Sequence, residues 1–219
     1  MSNMKATKKY YFSVEGETEK WYLDWLQDKI NGEADAKFKV SIDSKIQKNP
    51  LKRAKSINVL SPIEITHVYD YESNEEVHTK QFHEALDLLK ETSKLGKQIK
   101  YKLGYSNFSF ELWMVLHKTN CNGSLAHRRQ YLEPINRAYD ENFPSLDQYK
   151  SAANFKRVLG KISLCEVKEA VERSKVIMQR NADNGLVLQQ YKGYQYYREN
   201  PSLLIWESIE KILKECELL

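Results

Sequence analysis

Apolar and polar positions follow two rhythms along this chain, and the rhythm changes near its middle. Lys9 to Val14 is a run of aromatic and β-branched residues that predicts a buried strand. Trp21, Tyr22, Trp25, Leu26 and Ile30 then recur at helical spacing, so a helix runs to about Ile30, with Thr18 placed to cap it. Phe38, Val40 and Ile42 alternate with polar residues and predict a second strand. Ile63 to Tyr69, opened by Pro62, predicts a third. Glu75 to Leu95 reads as a long helix with Val77, Phe82, Leu86 and Leu89 turned inward and Gly96 as its C-cap. Gln98 to Leu103 predicts a fourth strand, and Phe108 to Lys118 a further helix.

Strands alternating with helices imply βαβ units and a mainly parallel sheet. From about Ser124 onward the pattern is helical. Ser163 and Glu166 have capping-box spacing ahead of a helix to about Arg180. Asn200 with Pro201 reads as the start of a last helix through Ile205, Ile209, Ile212 and Leu213. Residues 181–197 have no clear rhythm. The expected architecture is an α/β core over residues 1–123, a mainly parallel sheet flanked by helices. A mostly helical C-terminal extension over residues 124–219 packs on it as one unit.

Composition narrows the class. At 219 residues the chain can bury a real core. With 8 Gly and 5 Pro it is poor in both, which excludes a disordered or loop-dominated chain. No apolar run approaches the roughly 18–20 residues of a membrane span. The polar stretch Met1 to Lys9 has no apolar signal segment. A cytoplasmic protein without a membrane partner is expected. Cys121, Cys165 and Cys216 are too scattered for a disulfide framework or a metal knuckle. His67, His78, His83, His117 and His127 have no metal-binding spacing and read as structural.

In open α/β sheets, ligands bind beyond the carboxyl ends of the strands. The residues at those positions are acidic. Glu15-Gly16-Glu17-Thr18-Glu19 follows the first strand and Asp70-Tyr71-Glu72 the third. Ser106-Asn107 follows the fourth, with Glu111 a helical turn further on. Gathered carboxylates repel unless one holds a proton or a cation sits among them. Oxygen ligands without His or Cys suit Mg²⁺, or Mn²⁺ in its place, which bridges carboxylates to phosphates. Each residue also has a plainer reading. Glu17 and Glu19 stabilise a helix start, and Gly16 relaxes the turn into it. Asp70 and Glu72 are turn residues, Ser106 caps a helix, and Glu111 pairs with a lysine at a buried edge.

The net charge of +4 matters less than its distribution. Between Asp43 and Ile63 the only charged residues are Lys45, Lys48, Lys52, Arg53 and Lys55. Further basic clusters are Lys94, Lys97, Lys100 and Lys102, and Arg128-Arg129 beside His127. Glu64 to Glu91 is the reverse, strongly acidic. An acidic centre between basic stretches suits a phosphate-backbone partner, DNA or RNA. Tyr191, Tyr194, Tyr196 and Tyr197, with Lys192 and Arg198, either stack on bases or pack the extension onto the core.

Glu15-Gly16-Glu17-Thr18-Glu19 followed by Trp21-Tyr22-Leu23 resembles the opening motif of the RloB-like family. Val68-Tyr69-Asp70-Tyr71-Glu72 is similar to its acidic DxD-like motif. Ser106-Asn107-Phe108-Ser109-Phe110-Glu111-Leu112-Trp113, with His117, resembles its SNPxFExW segment. Weaker echoes are Tyr149-Lys150, Arg173 and Asn200-Pro201-Ser202. The resemblance implies a Toprim-related fold and an association with bacterial restriction and phage defence. It implies that Glu15 does general acid/base work and that Glu15, Asp70 and Glu72 hold Mg²⁺ for phosphoryl transfer. Glu19, Ser106, Asn107 and Glu111 orient the acidic loop by hydrogen bonding. The sequence departs from the pattern at Glu72, where Asp is usual, and at Ser109, where Pro is usual. The expected function is a Mg²⁺-dependent nuclease in antiviral defence. The alternatives are a non-catalytic subunit that binds nucleic acid or a partner defence protein, and a Toprim-type enzyme on a nucleotide or tRNA. The apolar last helix is a candidate for pairing two copies.

Overall fold

A computed structural model describes residues 5–58, 60–121 and 123–219. The start of the polar N-terminal stretch, residues 1–4, lies outside the described residues. In chain order the elements are β1 (Thr7–Val14), α1 (Glu17–Gly32), β2 (Lys39–Ile46), α2 (Pro50–Ser56) and β3 (Ile63–Asp70). Then come α3 (Glu76–Glu91), continued by a 3₁₀ turn over Thr92–Leu95, β4 (Ile99–Asn107) and α4 (Glu111–Leu116). A 3₁₀ turn over Arg128–Tyr131 leads into α5 (Leu132–Tyr139), α6 (Leu146–Tyr149), α7 (Ala152–Gly160) and α8 (Leu164–Asp183). The chain ends with β5 (Gln189–Tyr191), β6 (Tyr194–Tyr196), β7 (Ser202–Leu203) and α9 (Ile205–Glu215).

The five-stranded sheet has the order β2-β1-β3-β4-β7. Its first four strands are parallel, and β7 joins antiparallel to β4. This is the α/β class that the alternation of rhythms predicts. Parallel neighbours point their carboxyl ends the same way. Val14 therefore lies opposite Ile46, and Asp70 opposite Ser106, at one edge of the sheet.

Both faces of the sheet are covered. One face, carrying Phe12, Val14 and Val68, packs against α1, α4, α8 and α9 through Leu26, Trp113, Val171 and Ile209. The other, carrying Ile65, Tyr101, Leu103 and Tyr105, packs against Phe82, Leu86 and Leu89 of α3 and Ala54 of α2. The first cluster draws on both halves of the chain, from Phe12 to Cys216. Gly104 lets β4 lie close to its neighbours, since a β-carbon there would sit 2.9 Å from Thr66 Cγ2. Among the described residues no helix is long and apolar enough to cross a membrane.

Several local expectations need correction. The cap of α1 is Gly16, not Thr18, whose hydroxyl instead donates to Glu19 Oε2 at 3.0 Å. Gly16 has extended backbone, φ −149°, that any residue adopts; a β-carbon there would lie 3.3 Å from Glu19 Oε2. Glycine thus leaves room for the Glu19 carboxylate. Val77 is 52% exposed, because it sits well round the helix from Phe82 and Leu89. The fourth strand runs on to Asn107, so Ser106 is a strand residue and caps no helix. The extension holds three short strands. The last helix begins at Ile205, not after Asn200. Asn200 is a cross-link: its Nδ2 donates to Asn107 O and Tyr131 Oη, and its Oδ1 accepts Leu125 N–H at 2.8 Å. The Ser163–Glu166 capping box and the Gly96 cap, at φ +66°, are present.

Candidate active site

Four carboxylates from three parts of the chain influence one another at the carboxyl edge of the sheet. Glu15 leaves the end of β1, and its Oε2 accepts the backbone N–H of Asp70, at the end of β3, at 2.7 Å. Glu19 lies one turn into α1 and is 5% exposed. Glu111 opens α4 and is 1% exposed, with Lys150 Nζ 3.0 Å from its Oε1. The lysine that the plainer reading assigned to Glu111 is therefore Lys150.

Crowding and burial set the charge state of this group. Burial pushes Glu15 up to about 7; the Asp70 N–H and Lys48 pull it down, and Glu19 and Glu72 push it further up. Burial raises Glu19, helped by Glu111 and opposed by its own backbone, Lys150 and Thr18. Asp70 is held well above the usual carboxylate range by burial and then by Glu15, Glu19 and Glu111. Burial draws the Lys150 ammonium down, but Glu111, Asp70 and Glu19 outweigh it and hold it above its ordinary value. The cluster therefore retains protons readily, and Lys150 is its built-in cation.

Glu72 stands apart from the other acids. Arg128 Nη1 lies 2.8 Å from its Oε1, and His78 Nε2 3.4 Å from its Oε2. Ser106 and Asn107 flank Asp70 on β4. Ser106 O accepts Tyr71 N–H at 2.9 Å, which fixes the acidic loop after β3. Asn107 Nδ2 donates to Arg198 O at 2.9 Å. Among the described residues, the buried Ser106 Oγ and Asn107 Oδ1 have no hydrogen-bond partner.

The first basic stretch divides. Lys48 Nζ lies 3.7 Å from Glu15 Oε1, and Lys45 and Lys52 are exposed near the same edge of the sheet, whereas the exposed Lys55 ends α2 beside Lys97, at the opposite edge. Arg53 is buried, with Nη2 2.7 Å from Asp43 Oδ1, so it is an internal cation rather than part of a basic surface. Lys94, Lys97 and Lys100 lie at the amino end of β4, opposite the acids. Lys97 there donates to Ala54 O, Lys55 O and Ile57 O, capping α2. Arg129 is exposed and has no carboxylate partner among the described residues. Tyr196 packs against Phe82 and Tyr71, and Tyr191 stacks on His83 at 4.2 Å. These rings attach the hairpin to α3.

The donor set is oxygen-rich and suits a hard divalent cation in its chemistry. Among the described residues, no three His, Cys, Asp or Glu side chains are gathered closely enough to form a finished metal cluster. The Glu15 carboxylate does meet the backbone of Asp70, with unpartnered oxygens on Ser106 and Asn107 at the neighbouring strand end. Sequence reasoning missed Lys150 as a member of this group, and its only trace was the Tyr149-Lys150 echo.

Fold and site together define an α/β protein with a crowded acidic centre where its parallel strands end. The chain belongs to the RloB-like family: the family model for RloB-like protein matches residues 10–212. A search of curated proteins and a search of solved structures each returned no match.

Proposed function

We propose that this protein is a Mg²⁺-dependent nuclease of the Toprim type, with Mn²⁺ able to substitute, that cuts nucleic-acid phosphodiesters in antiviral defence. The observation that carries this reading is the pairing of Glu15 with Asp70 across two strand ends, inside a buried group of acids that hold protons unusually well. Asp70, Glu72 and Glu15 would hold the cation, which when bound polarises the phosphate and stabilises the leaving oxygen. Glu15, with its proton affinity near neutrality, suits general acid/base work on water or the leaving oxygen. Lys150 balances the negative charge of Glu111 and Glu19 so that the acids can stay together. Ser106 steadies the loop that carries Asp70 and Glu72 through Tyr71 N–H, and Asn107 ties the end of β4 to Arg198. Lys45, Lys48, Lys52 and Arg129 suit phosphate contacts there; the buried Arg53, and Lys55 at the opposite edge, do not.

Labelled DNA and RNA incubated with Mg²⁺ should be cut by the wild type and spared by Glu15→Ala and Asp70→Ala. Equal cleavage by all three would overturn the assignment.

A second reading is a non-catalytic subunit that binds nucleic acid or a partner defence protein. The grip of Arg128 and His78 on Glu72 favours it, because that acid is already engaged by side chains of the protein. Titrating Mn²⁺ while following the melting temperature separates the two. Stabilisation that disappears in Asp70→Ala supports the enzyme, and a melting temperature indifferent to Mn²⁺ supports the binding subunit.

A further inference from the structure

A cleft of about 490 Å³ opens beside the acidic group, between the Arg128–Leu132 turn and the Pro144–Lys150 segment. Arg128, Arg129 and Lys150 outnumber the acids Glu111 and Asp147 in its lining, and Leu132, Pro144 and Leu146 give it an apolar side. Glu111 also lines it, so the cleft reaches the acids through the Lys150 ammonium. Arg128 ties the same cleft to the acidic loop through Glu72. Arg129 is the cation without a carboxylate partner among the described residues.

This is a two-sided environment, cationic for a phosphate and apolar for the flat face of a base. Its volume lies in the range of pockets that take one small ligand, on the order of one nucleotide. A duplex must unpair and unstack a base, at a cost of about a few kcal/mol, to lower it into such a space, whereas an unpaired strand splays its bases freely. Resting on the nuclease reading above, we propose that this cleft receives one unpaired nucleotide of a single-stranded nucleic acid. Its phosphate lies against Arg129 and Lys150 and its base against Leu132, Pro144 and Leu146. The substrate is then a single strand or an unpaired loop, not a duplex. The shared chemistry is a base on a phosphate, and the sugar is left to the experiment.

The test is fluorescence anisotropy in EDTA, where binding is read without cleavage. The probes are labelled single strands of about ten nucleotides, one DNA and one RNA, and the matching blunt duplexes. Single strands should bind at least about tenfold tighter than duplexes. The two cation contacts should give a slope of about −1.4 for log K against log salt. Arg129→Glu should weaken single-strand binding about tenfold, and Pro144→Trp should fill the cleft and lower single-strand but not duplex affinity. Both positions are exposed, and a wild-type melting temperature shows that the variants fold. Selective binding of either sugar type supports the inference, and the stronger arm names the sugar. Equal affinity for duplex and single strand, or wild-type binding by both folded variants, overturns it. If single strands bind in the cleft but the wild type cuts nothing, the nuclease reading fails and the cleft stands. If Glu15-dependent cutting proceeds equally on duplexes and single strands, the cleft fails and the nuclease stands.

Discussion

The Glu15 carboxylate accepts the backbone N–H of Asp70 at 2.7 Å, so a side chain joins the ends of β1 and β3 just beyond their ladder. The bond aligns two acids that repel each other when both are charged. That repulsion adds to burial in raising Asp70, while the Asp70 N–H partly offsets the burial that raises Glu15.

Stability should therefore depend on the state of Glu15. In the folded protein it holds its proton up to about 7, against an ordinary value of 4.5. Between those values the folded state keeps a proton that the unfolded chain gives up, so this group's contribution declines as pH rises through that window. The shift corresponds to about 3 kcal/mol. Glu15→Gln keeps an acceptor for the Asp70 N–H and removes the titration. In EDTA it should melt near wild type at about pH 5 and above it at about pH 8. Parallel pH curves for the two proteins would contradict this.

His67 acts in the opposite sense. It is fully buried, its Nδ1 lies 2.7 Å from Ser13 Oγ, and burial lowers it from 6.5 to about 3. Its contribution is present above 6.5 and is lost as pH falls, because only the unfolded chain takes the proton. From about pH 7 to about pH 5 the loss is about 2 kcal/mol. Urea unfolding of His67→Gln should lack that part of the acid sensitivity. An unchanged difference between the two pH values would refute the assignment.

Lys150→Met leaves the Glu111 carboxylate buried without its cation. Because Lys150 is partly open to water, the loss should be about 2 kcal/mol at about pH 8 rather than the larger cost of a fully buried pair. It should shrink as pH falls, because burial makes Glu15, Glu19 and Asp70 take up protons more readily than ordinary carboxylates. A double-mutant cycle with Glu111→Gln should give a coupling of about 1 kcal/mol or more. Additive effects would show that the two do not work together.

Arg53 and Lys52 are neighbours with opposite expected behaviour. Arg53→Ala removes a buried cation from Asp43 and should cost about 3 kcal/mol, with no direct change in phosphate contacts. Lys52→Ala should leave stability within about 0.5 kcal/mol. It should lower the salt slope of nucleic-acid binding by about 0.7–0.9. Binding isotherms at several salt concentrations, paired with melts, would expose a reversal of these roles.

Most of the sheet was legible because β1 to β4 are long enough to carry a period and their helices show apolar arcs. Parallel strands also share a direction, which is why residues after the first, third and fourth runs could be assigned to one edge. β5 and β6 have three residues each and β7 has two, too few for a rhythm. β7 exists because Ser202 and Leu203 find Asn107 and Ser106, a pairing that local sequence does not encode. The same distance in sequence hid Lys150 and the grip of Arg128 on Glu72. A lysine placed 39 residues after the acid it balances leaves no spacing to recognise. The burial of Arg53 within a basic stretch was hidden too, because side chains of one charge look alike until a fold buries one of them.

The late position of β7 has a consequence for how the protein comes into being. The final rungs beside Ser106 and Asn107 are supplied by Leu203 and Ser202, and Asn107 is anchored by Asn200. A nascent chain emerging from the ribosome already carries every acid of the centre, yet lacks the piece that frames it. A product cut short between Lys150 and Asn200 would carry those acids without the strand and the asparagine that frame them.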